Sequence, residues 1–269
     1  MINNSILKNK TIVITRPMDA AESLKTMIEK EGGCPILFPT IKIVPTDTWD
    51  SCDRAIKNLD RFDWIVFSSK NSAYYFLQRL SSHKKSIGMQ KIGVIGAKTA
   101  AYVRSCNLQV HLIPEQYSAS GFLSAINGVK LKKNSFLLPT SDIGRNELSN
   151  GLSAKGHQIF MVEVYRTATN YELDVQTLQK KIHSRTIDCF TFYSPSAFKS
   201  FLELIDRETR NFIRKINLTI ASIGNTTTAA IRAEGFVCHI CATKSSDERM
   251  LEAIKTYFIE KDVNHVTVS

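Results

Sequence analysis

Small hydroxyl residues recur at one kind of position in this chain, directly after a short apolar run and directly before a helical pattern begins. They are Thr15 with Arg16, Ser68 with Ser69, Gly96 with Thr99, Thr140 with Ser141, Ser194 with Ser196, and Gly224 with Thr226 and Thr227. In doubly wound sheets these are the points where ligands bind, because the first turn of a helix leaves N–H groups unpaired and presents the positive end of its dipole. Such N–H groups hold carboxylates or phosphates without a buried lysine, and glycine at Gly96 and Gly224 lets a ligand approach the backbone closely. Each hydroxyl also suits a plain helix N-cap, so residue type leaves capping and ligand contact both open. Tyr165, in the run Glu163 to Thr167, offers a phenol that either packs or acts as a hydrogen-bond donor and weak acid.

Other chemistries lack their signatures. The chain has no phosphate-binding Gly-x-x-x-x-Gly-Lys loop, no Gly-x-Gly-x-x-Gly, no Gly-x-Ser-x-Gly and no His-Glu-x-x-His. Its six histidines show no ligand spacing, and Cys238-His239-Ile240-Cys241 has no second ligand pair, so both thiols are expected as small buried hydrophobes of a strand. A site without metal or cofactor is the expectation. The net charge of +10 favours anionic partners. The basic residues are dispersed and form no zinc-finger or aromatic RNA-binding pattern, so a small polyanion is expected and nucleic acid is not. No apolar run reaches membrane length and the first ten residues lack a signal-peptide core, which predicts a cytoplasmic chain without a disulfide framework.

The elements that must position these residues come from a duplication. Ile92 to Ile126 repeats at Ile220 to Ile254 with a constant offset of 128 and no gap, and 11 of the 35 pairs are identical, among them Ile92/Ile220, Gly96/Gly224, Thr99/Thr227 and His111/His239. Average composition alone gives about one identity in sixteen. Strand-like runs at Thr11 to Thr15, Trp64 to Phe67, Ile92 to Ile95, Val110 to Ile113, Phe136 to Leu138, Ile159 to Val164, Cys189 to Phe192, Leu218 to Ile223 and Val237 to Ile240 alternate with helical patterns. Asp19 and Glu22 read as a capping-box-like helix start, Arg145 to Ala154 and Asp247 to Phe258 as helices, and Gly32 and Gly156 as helix stops. Alternation of this kind predicts parallel sheets flanked by helices, an α/β fold.

The second copy lacks an opening strand and helix, whereas Phe136 to Gly156 resembles Thr11 to Gly32 at an offset near 125. The simplest repair is a borrowing across the chain: residues 1–40 with 168–269 form one discontinuous lobe and 41–167 the other. The chain then crosses between lobes near Thr40 to Pro45 and near Tyr165 to Tyr171, and a ligand cleft is expected between them.

Taken in order, Thr15-Arg16, Phe67 to Ala73, Ile95 to Ala100, Pro114 with Tyr117 to Ala119, Val164 to Thr167, Phe192 to Ala197 and Ile223 to Thr227 resemble the uroporphyrinogen-III synthase family over nearly the whole chain. The resemblance implies two flavodoxin-like, doubly wound lobes. It also implies a lyase that closes the linear tetrapyrrole hydroxymethylbilane to uroporphyrinogen III, with loss of water and inversion of ring D and without metal or cofactor. By the same resemblance Tyr165 assists departure of the ring A hydroxyl, and Thr15, Arg16, Ser68, Ser69, Gly96, Thr99, Thr140, Ser194, Gly224, Thr226 and Thr227 contact the eight carboxylates and the pyrroles. A monomer is expected, with transient handover from hydroxymethylbilane synthase. The competing expectation is a non-catalytic two-lobe sensor of an anionic metabolite, since fold does not fix function.

Overall fold

Among the described residues ten strands carry the fold: Thr11–Ile14 (β1), Cys34–Leu37 (β2), Ile41–Pro45 (β3), Trp64–Phe67 (β4), Lys91–Val94 (β5), Ser135–Ser141 (β6), Gln158–Thr169 (β7), Cys189–Phe192 (β8), Thr219–Ser222 (β9) and Ile240–Cys241 (β10). The computed structural model describes residues 5–128, 134–142 and 146–266. These fall into two units, Met1–Lys42 with Ala168–Ser269, and Ile43–Thr167. The chain passes from one unit to the other within β3 and again within β7.

The first unit holds a sheet in the order β2-β1-β8-β9-β10, and the second a sheet in the order β5-β4-β6-β7 with β3 at the edge beside β7. Parallel pairing joins β1 to β2 and β8, β8 to β9, β9 to β10, β4 to β5 and β6, and β6 to β7. Helices cover both faces of such sheets, which is why β4, β8 and β9 are buried at every residue and read as continuous apolar runs. Successive side chains of one strand serve opposite faces. In β1, Val13 packs with Phe190, Phe198 and Phe201, while Ile12 and Ile14 pack with Leu24, Met250 and Ile254. In β4, Ile65 and Phe67 join Phe76 and Val103, while Trp64 and Val66 join Phe122 and Leu152.

The duplication survives at the level of single hydrogen bonds. His111 Nδ1 accepts from the Ile92 N–H at 3.0 Å, and His239 Nδ1 accepts from the Ile220 N–H at 3.2 Å. An accepting Nδ1 requires a neutral ring, and burial, with Lys261 adding to it, pushes the His239 pKa below its ordinary value. Burial and Lys155 do the same to His157. Between the depressed folded value and about 6.5 the unfolded chain therefore binds more protons. The stability these rings contribute is present above that value and is lost as pH falls through it. Melting temperature should decline from pH 7.5 to 5.5, and His239→Asn should flatten the slope; an unchanged slope would exclude His239 as a contributor.

Several boundaries differ from the sequence reading. The Val110 to Ile113 segment makes only an isolated bridge between Leu112 and Gly93, because His111 and Leu112 both direct their N–H groups at Ile92 O and Pro114 then ends the extension. The last strand is Ile240–Cys241 rather than Val237 to Ile240. Cys241 is exposed, since β10 lies at the sheet margin, and of the Cys-x-x-Cys pair only Cys238 is buried. The first helix, Met18–Lys30, starts from Pro17 without a side-chain cap, and Asp19 sits in its first turn instead. The helix predicted over Arg145 to Ala154 is observed over Glu147–Ala154, and Arg145 lies outside the described residues. The final helix continues beyond Phe258, spanning Asp247–Val266. Gly32 and Gly156, at φ +80° and +83°, follow their helices in the left-handed region where a side chain would be strained.

Candidate functional site

In the second unit, β4 delivers the chain to Ser68 and Ser69 at the start of the helix Lys70–Ser82. Ser69 Oγ accepts from the Ser72 N–H at 3.0 Å and Ser72 Oγ accepts from the Ser69 N–H at 3.2 Å, a reciprocal cap on the first turn. The register of β6 against β7 slips beside it: Thr140 pairs with Glu163, and Ser141 with Tyr165. Tyr165 is thereby brought to the cap, with its phenol oxygen 3.3 Å from Ser69 Oγ. Its ring stacks on Tyr75 at 5.9 Å and 20°, and Tyr75 donates its own O–H to Ile43 O at 3.0 Å. The ring is held firmly while the hydroxyl has one long contact, to an oxygen already engaged in capping. A partly buried phenol in that state is free to donate to a ligand. Ser69→Ala should lower the stability of the chain by about 1 kcal/mol, read as a lower urea midpoint; an unchanged midpoint would show that the cap is energetically idle.

In the first unit the equivalent position is Ser194, whose Oγ accepts from the Ala197 N–H at 3.1 Å and lies 3.0 Å from Ser196 Oγ. Beyond β1, Arg16 donates from Nη1 to Asp247 Oδ1 at 2.6 Å, and its guanidinium lies 4.1 Å from the centre of the Tyr193 ring. Tyr193 donates its O–H to the same Asp247 oxygen at 2.7 Å. Burial, and then the Asp247 carboxylate, hold the Tyr193 phenol well above the ordinary range, so it stays a donor at any working pH. Tyr193 and Asp247 carry no catalytic signature in sequence.

The remaining candidates divide by burial. Thr15 is fully buried, and its Oγ1 donates to Thr191 O at 2.7 Å, so its hydroxyl ties β1 to β8 and is not offered to a ligand. Thr99 and Thr227, 4% and 3% exposed, are each the third residue of their helices and leave almost no surface for a ligand to touch. Ser68 and Thr226 are exposed, and Thr140 is partly buried. A Cβ placed on Gly96 meets nothing within 4 Å, and on Gly224 only Ser245 Oγ at 3.9 Å. Packing within either unit therefore does not demand glycine there, and the bare backbone at both helix starts is open to approach. A groove of about 350 Å³ in the second unit, lined by Arg54, Phe62, Phe160 and Met161 among others, involves none of the candidates.

Against known proteins, the model of the family described as uroporphyrinogen-III synthase HemD matches residues 22–252. The chain belongs to this family. A Methanocaldococcus jannaschii relative, itself named only as a candidate uroporphyrinogen-III synthase, is 31% identical over 249 residues, covering 91% of this chain and 98% of its own. The uroporphyrinogen-III synthase of Chlorobaculum parvum is 25% identical over 231 residues, covering 84% and 90%. Among solved structures, uroporphyrinogen-III synthetase from Helicobacter pylori superposes with a TM-score of 0.57 at 18% identity over 92% of this chain and 99% of that one. A mutant uroporphyrinogen III synthase from Thermus thermophilus gives 0.55 at 15% identity over 93% and 99%. At these identities the structures establish a shared α/β fold with parallel sheets. Among the described residues of this family member no helix is long and apolar enough to cross a membrane.

Proposed function

We propose that this chain is a uroporphyrinogen-III synthase, a hydro-lyase that closes hydroxymethylbilane to uroporphyrinogen III with inversion of ring D and loss of water. The observation that carries the reading is Tyr165, a stacked phenol with one long hydrogen bond, set at a capped helix start within a chain of this family. Strand orders of the 2-1-3-4-5 type in the first unit and 2-1-3-4 plus an edge strand in the second support two flavodoxin-like lobes, the first discontinuous. The donors available for an octacarboxylate are Ser68, Ser69, Gly96 and Thr140 in one lobe, and Arg16, Ser194, Gly224 and Thr226 in the other. The net charge of +10 draws such a substrate in.

The chemistry follows from what these groups can do. Tyr165 donates a hydrogen bond to the departing ring A hydroxyl, the resulting azafulvene meets the substituted carbon of ring D, and the spiro intermediate rearranges to the inverted ring. The bilane also closes unaided, without inversion, so catalysis consists largely of positioning and preorganised electrostatics. No cofactor takes part, and the chain acts as a cytoplasmic monomer that receives its unstable substrate from hydroxymethylbilane synthase. The test is incubation of purified protein with freshly made hydroxymethylbilane, oxidation, and separation of the isomers. Predominant type III isomer is expected; only the spontaneous type I isomer would sink the reading and favour a binding protein.

A further inference from the structure

The Arg16, Tyr193 and Asp247 cluster occurs in one copy of the duplicated unit and not in the other. Matching Thr15 to Thr140, Ser194 to Ser69 and Ser246 to Ser118 places Ser141, Ser68 and Ala119 at the equivalent points of the second unit. The two frames are equivalent in detail, for Ser194 and Ser69 each accept a bond from the N–H three residues on, and so do Ser246 and Ser118. The second unit closes its sheet and helices around two serines and an alanine. Folding therefore does not require a guanidinium, a phenol and a carboxylate at this place.

The cluster is also arranged as a mount. One Asp247 oxygen receives both Arg16 Nη1–H and the Tyr193 O–H, and the Tyr193 ring supports the guanidinium from beneath. Asp247 lies in the first turn of the last helix, where the dipole favours a carboxylate. Its side chain is 14% exposed and that of Arg16 27%, so of the two the cation keeps more surface for a ligand. An arginine left to itself samples many rotamers, and ordering it on a ligand costs entropy that this mount has already removed.

We infer that Asp247 and Tyr193 are positioning residues that hold Arg16 ready to receive a carboxylate of the substrate, giving the first unit a fixed cationic contact at the point where the second carries Ser141. The inference rests on the synthase reading. It predicts a tie between three residues drawn from positions 16, 193 and 247, which can be read as a loss of substrate affinity that does not add up.

The experiment is a set of steady-state measurements on hydroxymethylbilane with the full chain, each variant checked by its melting curve. Arg16→Ala should raise KM roughly tenfold through loss of a charge-assisted contact, with kcat less affected. Asp247→Asn and Tyr193→Phe should each raise KM about threefold in the presence of Arg16, and neither should raise it further in the Arg16→Ala background. A merely structural role would instead lower the melting temperature and add its effect in both backgrounds. Tyr193→Phe keeps the ring under the guanidinium, so it carries the test alone should Asp247→Asn fail to fold. Unchanged KM in the single variants, or full additivity with Arg16→Ala, overturns the inference while leaving the synthase reading intact. A wild-type chain that yields no type III isomer overturns both.

Discussion

Tyr165→Phe should form the type III isomer about a hundredfold more slowly than the unaltered chain, at the lower end of what a positioned proton donor contributes. Its fold should be undisturbed. The substitution removes one oxygen whose recorded partner is Ser69 Oγ at 3.3 Å, and Ser69 keeps its stronger task of accepting from the Ser72 N–H at 3.0 Å. The stack on Tyr75 needs only the ring, so melting temperature should change by no more than about 2 °C. Residual activity is expected because substrate folding and carboxylate contacts remain. Isomer analysis under single-turnover conditions separates the outcomes: full turnover would remove Tyr165 from the reaction, and misfolding would appear in the melting curve first.

The second large effect concerns a volume exchange between the two copies. A Cβ on Gly93 of β5 would lie 2.7 Å from Phe122 Cζ and 2.8 Å from Cε2, so Gly93→Ala should destabilise by about 1–3 kcal/mol through overpacking. Phe122→Ala, which empties a fully buried site, should cost about 3–5 kcal/mol. At an offset of 128 the first unit carries Ala221 and Met250, both buried in one core cluster. The small and large partners have traded about a methyl group's worth of space. Gly93→Ala with Phe122→Met should therefore be more stable than Gly93→Ala alone, and a urea double-mutant cycle should return a coupling of about 1 kcal/mol or more. Additive losses would mean that the two sites do not share that space.

Much of this architecture is legible in the residues because parallel strands buried on both faces are spelled as unbroken apolar runs, as at Trp64 to Phe67 and Cys189 to Phe192. The helices Val175–His183 and Arg207–Ile216 are harder to see, yet each begins at an Asp that accepts a bond from the N–H of a Thr three residues on, a signal available at Asp174 and Asp206. The site is legible in kind and less so in detail. Hydroxyl type does not reveal which side of a helix start a residue occupies, and so Thr15, Thr99 and Thr227 read like Ser69 although they face inward. Asp247 reads only as the start of a helix, because its bond to Arg16 spans 231 residues. The one local hint is that its counterpart in the repeat, Ala119, carries no charge.

The position of β1 has a consequence for synthesis on the ribosome. It lies between β2 and β8, yet 174 residues separate Ile14 from the start of β8 at Cys189, from which the later strands of that sheet follow. The contiguous second unit emerges whole while β1, already able to pair with β2, still lacks β8, and Ile12 and Ile14 await Met250 and Ile254. The internal segment can thus complete its core first, and the face of the N-terminal strand and helix that packs on Met250 and Ile254 is covered only after the last helix has emerged.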